Sequence, residues 1–229
     1  MIRVKICGLK TEKDVETAAS CGADAVGFLV GQQHPSPDFI LPCTAERLAA
    51  HLPVFVTPVL VTHYTDVDSI LELLDLTGIT VLQLHGGSTP EEVCRLKEFA
   101  GDDVKIIVAA HVYQGCGVKI PLSLYEPYVD AFLFDSFDPQ NGKVGGTGLV
   151  NDWKAAARSL QETKKDVILA GGLHPGNVEE AVLKVSPCGV DANSRLKDPD
   201  GSLNEYLARE FVRKAKSIVF PAVENTLPE

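Results

Sequence analysis

The 229-residue sequence has no long uninterrupted apolar run. A membrane helix needs about 18 apolar residues in a row, and no stretch approaches that. The opening Met1-Ile2-Arg3-Val4-Lys5 is not followed by the apolar segment of a secretory leader. A cytoplasmic protein with no membrane partner is the expectation. Basic excess is also missing. Lys plus Arg number 21 against 31 Asp plus Glu, a formal charge of −10, and no Lys/Arg run stands out. Nucleic-acid surfaces neutralise phosphates with clustered cations, so that partner class is excluded, as is non-specific binding to anionic lipid. The six cysteines, at 7, 21, 43, 94, 116 and 188, include no Cys-x-x-C pair and no Cys/His set at zinc-finger spacing. A chain this long with 45% apolar residues does not need disulfide staples. Linkers and low-complexity segments are lacking too, and 23% charged residues is ordinary globular usage, not that of a disordered chain.

What is present is a regular alternation. β-Branched, apolar runs predict strands at 2–6, 24–29, 54–61, 80–84, 104–110, 130–135, 166–170 and 188–192. Amphipathic runs predict helices at 11–21, 44–51, 66–75, 89–100, 150–162, 175–185 and 203–219, with a short weak one at 122–125. Eight pairs in one chain give about 29 residues per pair, the size of a βα unit. Strands apolar on both faces suit a parallel sheet covered on both sides. The pattern predicts a single (β/α)8 TIM barrel over residues 1–220, with a frayed tail at 221–229. An open doubly wound sheet is the alternative.

In such a barrel the chemistry sits at the C-terminal ends of the strands. On the first strand Ile2, Val4 and Ile6 share the helix-facing side, so Arg3, Lys5 and Cys7 point inward and Cys7 reaches the mouth. A cysteine near positive charge can serve as a general base, and Lys5 lies on its face. Asp135 ends the sixth strand, before a long loop at 136–148 that has the character of a lid. Three steps around an eight-membered ring separate strands six and one, which sets Cys7 and Asp135 across the mouth from each other. An acid and a base flanking one substrate suit proton-transfer isomerisation. Gly171-Gly172 after strand seven and Asn193-Ser194 after strand eight fall where these barrels hold phosphate. Gln83 and His85 share inward parity at the end of strand four; His34, His51, His63, His111 and His174 show no ligand spacing.

Several of these residues together resemble the phosphoribosylanthranilate isomerase family of tryptophan biosynthesis. The matching pieces are Lys5-Ile6-Cys7-Gly8-Leu9, Gly22-Ala23-Asp24-Ala25-Val26-Gly27-Phe28 and Leu82-Gln83-Leu84-His85-Gly86. They continue with Phe134-Asp135, Gly145-Gly146-Thr147-Gly148 before Asp152-Trp153, Leu169-Ala170-Gly171-Gly172-Leu173 and Gly189-Val190-Asp191. The resemblance implies an Amadori rearrangement of N-(5-phosphoribosyl)anthranilate without metal or cofactor. Cys7 is then the base at ribose C2 and Asp135 the acid at the ring oxygen. Gly171, Gly172, Asp191, Asn193 and Ser194 line the phosphate end, and Lys5, Gln83 and His85 line the mouth. The partner is a small phosphorylated sugar, and monomer and homodimer both stay open.

Two departures accompany the resemblance. Where the family usually has Ser-Pro-Arg, with the arginine near the anthranilate carboxylate, this chain has Ser36-Pro37-Asp38. Where it usually has Ser-Ser-Gly, this chain has Asn193-Ser194-Arg195. A carboxylate at 38 is expected to repel the substrate, and Arg195 is the expected source of the displaced positive charge. The alternatives are an isomerase of another sugar phosphate, an aldolase using Lys5, and a non-catalytic barrel.

Overall fold

The computed structural model describes residues 1–33, 36–138, 143–144 and 152–219. Eight strands form the barrel: β1 (Arg3–Ile6), β2 (Ala25–Leu29), β3 (Thr57–Thr62), β4 (Val81–Leu84), β5 (Lys105–Tyr113), β6 (Ala131–Asp138), β7 (Asp166–Leu169) and β8 (Gly189–Ala192). Each pairs in parallel with the next, and β8 pairs in parallel with β1, which closes the ring. That closure excludes the open sheet. Helices alternate with the strands: α1 (Glu12–Ser20), α2 (Pro42–Ala50), α3 (Val67–Thr77), α4 (Pro90–Ala100), α5 (Leu122–Tyr125), α6 (Trp153–Leu160), α7 (Val178–Val185) and α8 (Glu205–Ser217).

Local chemistry starts these helices where the chain needs them. Thr11 and Asp14 form a reciprocal capping box at α1, and Thr89 and Glu92 form another at α4, where Pro90 also occupies the first turn. Asp66 caps α3 by accepting from Ser69 N, and Gly78, at φ +64, ends that helix.

Strand parity divides the buried residues into two cores. Ile2, Val4 and Ile6 join the large core between sheet and helices. Cys7 instead packs with Val59, Val61, Ile107, Ala109, Leu133 and Ala170 inside the barrel. A packed interior leaves room for chemistry only at the ends.

Several boundaries differ from the sequence expectation, and among them β6 continues three residues past Asp135, to Asp138. Strand β3 begins at Thr57, not 54, because Val56 N bonds Pro53 O in a turn that leaves Val54 and Phe55 exposed. Helix α2 begins two residues early, at Pro42. Strand β5 runs to Tyr113 because its end pairs antiparallel with Gly117–Val118. Most of the expected lid at 136–148, including Gly145-Gly146-Thr147-Gly148, and the tail at 221–229 lie outside the described residues.

Gly27 shows how tightly the interior is fitted below the mouth. A Cβ there would stand 2.5 Å from Cys7 Sγ and 3.1 Å from Lys5 Nζ. Gly27→Ala is therefore expected to overpack this layer and destabilise the fold by about 1–3 kcal/mol. Denaturant melts check this, and an unchanged midpoint would show that the contact is not close.

Candidate active site

The mouth of the barrel holds a pocket of about 270 Å³ lined by Cys7, Asp38, Phe39, His63, His85 and Asp135, among others. Cys7 and Asp135 thus border one cavity, as strand order predicts. A smaller notch adjoins it, lined by Gly171, Gly172, Asn193, Ser194 and Arg195. Asp135, Asp191, Asn193 and Ser194 border both.

Cys7 sits just past the end of β1, its N–H bonded to Ala192 O of β8. Beneath it lies a buried ion pair, Lys5 Nζ to Asp191 Oδ2 at 3.0 Å. The two residues are register partners across the β1–β8 seam. Burial opposes a charge on Lys5, but Asp191 and Cys7 outweigh it and hold its pKa above the ordinary value. Burial also pushes the Cys7 thiol up, to about 11; Lys5 and Lys197 pull against that, and Asp191 adds to it. The expectation that Lys5 brings Cys7 toward neutrality is therefore not met, because desolvation is the larger effect. Asp191 lines the notch, as expected, but as a charged group it is ill suited to hold an anion. Its Oδ2 is committed to Lys5, and a carboxylate repels a phosphate.

Asp135 is buried at the end of the apolar part of β6. Its Oδ1 accepts from Ser136 N at 2.7 Å, and its Oδ2 lies 3.5 Å from His85 Nε2. Gln83 stands behind the imidazole, its Nε2 3.3 Å from His85 Nδ1. His111 is the β5 register partner of Asp135. Burial and the neighbouring His85 lower its pKa to about 4 against the pull of Asp135, so it is neutral at neutral pH. His85, His111 and Asp135 bring one donor atom each within 4.8 Å of one another. Two imidazoles and one carboxylate are a donor set that suits a divalent transition metal.

The notch depends on its glycines. Gly171 and Gly172 take φ +91 and +63, and a Cβ on Gly171 would stand 2.7 Å from Ser136 N. Only glycine lets this turn lie against the strand that carries Asp135. Opposite it, Ser194–Leu196 form a short 3-10 helix after β8, matching the extra helix that builds phosphate sites in such barrels. Arg195 is exposed on this side, and its charge helps lower the pKa of His174, after burial.

Asp38 is not a bare carboxylate. Lys197 Nζ lies 2.6 Å from its Oδ1, Lys10 Nζ 3.9 Å from the same oxygen, and Asn193 Nδ2 donates to Oδ2 at 3.0 Å. Sequence reasoning did not name Lys10 or Lys197, nor did it place Phe39, His63 and His111 at the mouth. Parity carried a signal for His111, which continues Ile107 and Ala109 inward once β5 is extended. His63 directly follows β3, as His85 follows β4. Most of the described buried polar side-chain atoms without a partner belong to Gln32, Gln83, Asp191 and Asn193, all lining the pocket. Such concentration marks a place built for a polar ligand.

Known proteins align with this arrangement. The family model for N-(5'phosphoribosyl)anthranilate (PRA) isomerase matches residues 4–214. N-(5'-phosphoribosyl)anthranilate isomerase 2 of Methanosarcina mazei is 43% identical over 219 residues, covering 96% of each chain. The phosphoribosyl anthranilate isomerase structure from Thermus thermophilus superposes with TM-score 0.77 at 29% identity, over 94% of this chain and 99% of that one. A phosphoribosyl anthranilate isomerase solved with reduced 1-(o-carboxyphenylamino)-1-deoxyribulose 5-phosphate gives TM-score 0.74 at 27% identity, over 95% and 100%.

The raised Cys7 pKa has a direct readout. The thiolate absorbance of the wild type minus that of Cys7→Ser is expected to stay flat through the ordinary thiol range of about 8–9 and to rise only toward pH 11. A step within the ordinary range would contradict the burial argument.

Proposed function

The chain belongs to the N-(5'-phosphoribosyl)anthranilate isomerase family, and we propose that it converts N-(5'-phosphoribosyl)anthranilate to 1-(2-carboxyphenylamino)-1-deoxyribulose 5-phosphate using Cys7 as base and Asp135 as acid. The observation that carries the assignment of roles is the shared pocket. Cys7 and Asp135 border it from β1 and β6, beside a glycine-lined notch of the kind that holds phosphate. With the phosphate in the notch, the ribose extends into the space between the two groups.

The steps follow from the chemistry of each side chain. Asp135 gives its proton to the ring oxygen as the C1–O bond breaks, and the nitrogen lone pair forms a C1=N iminium. The Cys7 thiolate then takes the proton from C2, leaving an enolamine that becomes the ketone by proton transfer to C1. His85, 3.5 Å from Asp135 and backed by Gln83, is placed to return the proton that the acid gives up. With burial pushing the thiol up to about 11, only a small fraction of Cys7 is ionised at pH 7. The small thiolate fraction is offset by its greater strength as a base. Because the base form is required, kcat/KM rises with pH as Cys7 ionises.

The oligomeric state is monomer or homodimer in this reading. One relative's structure is described as mutually generated monomers of a dimeric enzyme, from Thermotoga maritima.

Loss of anthranilate fluorescence during turnover tests the assignment. Cys7→Ala and Asp135→Asn are each expected to lower kcat by about 10²–10⁴-fold, the scale of one general acid or base. Circular dichroism should show an intact barrel in both variants. Wild-type protein that folds but does not turn over this substrate would overturn the function. Either variant retaining near-wild-type kcat would overturn the role of that residue.

A further inference from the structure

We infer that Lys197 is the cation that receives the aromatic carboxylate of the substrate, with Asp38 as its resident counter-ion and Lys10 as a second cation behind it. This rests on the function proposed above and names the group that holds the far end of that substrate.

The pocket has two chemically different ends. The notch at Gly171, Gly172 and Ser194 is the phosphate end. The other end, at residues 36–39, has apolar walls from Leu29, Pro37, Phe39 and Val61. Phe39 and His63 meet edge to face there, with ring centroids 6.3 Å apart. An aryl ring fits between such walls, and its carboxylate then falls beside Asp38. A lone Asp38 would repel it, as the sequence suggests. The cluster around Asp38 reverses that sign, because two lysines and one aspartate leave one net positive charge for one arriving carboxylate.

Lys197 stands directly behind Asp38, which lines the pocket. Its side chain is only 8% exposed. It donates to Asp38 Oδ1 at 2.6 Å and to Gly8 O at 2.7 Å. An ammonium has three donors, and two of them are taken up among the described residues. Gly8 follows Cys7, which fixes this charge next to the reacting thiol. Arg195 opens on the notch at the phosphate end, so the charge displaced from the usual arginine position is taken up by Lys197.

Two stable analogues separate the effects. Reductive amination of ribose 5-phosphate with anthranilate gives an aminoalditol phosphate bearing the carboxylate, and the same reaction with aniline gives one without it. Calorimetric Kd values are measured for both. Lys197→Met is expected to weaken binding of the carboxylated analogue about 10- to 100-fold, the scale of a charge-assisted hydrogen bond. It should leave the aniline analogue within about twofold of wild type, since that ligand has no carboxylate to lose. Asp38→Asn is expected to tighten the carboxylated analogue, because the cluster gains a positive charge. The Asp38→Asn/Lys197→Met double variant, which leaves no unpaired carboxylate behind, should show the same selective loss as Lys197→Met. Equal losses for both analogues, or no loss in a folded Lys197 variant, would overturn the assignment to Lys197. Wild-type protein that binds neither analogue would overturn the proposed function and this assignment with it.

Discussion

The ion pair between Lys5 and Asp191 is the constraint on which the site is built. It joins register partners on the first and last strands, so it lies on the seam where the barrel closes. Both groups are almost fully buried, and a pair in such surroundings holds only while both partners are present. Leaving one of them unpaired costs about 3–5 kcal/mol. The pair therefore fixes the ends of β1 and β8 relative to each other. Cys7 sits on one of those ends, and Asn193 and Ser194 follow the other. Cys7 and the Asn193-Ser194 turn are thus both anchored at this seam, where Cys7 N–H also bonds Ala192 O. Gly27 completes the layer by leaving space for the thiol and the ammonium side by side.

That pair also accounts for the character of the base. Lys5 is spent on Asp191, so its charge does not simply bring the thiol toward neutrality. Burial dominates, and in the proposed role Cys7 acts as a strong base present in small amount. The acid is held differently. Asp135 takes one hydrogen bond from its own chain at Ser136 and faces an imidazole backed by Gln83, a path by which a proton can be returned. The net charge of −10 gives an anionic substrate no general attraction. In the proposed function, capture falls to local groups, the glycine turns at one end and the lysine cluster around Asp38 at the other.

Much of this was legible in the sequence because β-strand parity and βα periodicity are local. The inward face of β1, the eightfold alternation and the placing of Cys7 at a strand end all follow from spacing within short windows, whereas β6 runs on past Asp135 to Asp138. Two of the boundary errors at strands had local causes, a turn at Pro53 and an antiparallel extension at Gly117. Stopping β5 at 110 hid the inward position of His111. The sign of the charge around Asp38 was not legible. Asp38 and Lys197 are 159 positions apart, and nothing local links a loop after β2 to the residue after a 3-10 turn. The shift of the Cys7 pKa was equally hidden, since it is decided by how much water reaches the thiol and by where the charge on Lys5 is directed.

The most direct test of the account is a crystal structure of this protein with the reduced product analogue bound. The account predicts phosphate oxygens in the notch between Gly171-Gly172 and Asn193-Ser194, and the carbons derived from C1 and C2 between Cys7 Sγ and the Asp135 carboxylate. A ligand whose phosphate lies outside the notch, or whose C2 is out of reach of Cys7 while the Lys5–Asp191 pair is intact, would contradict it.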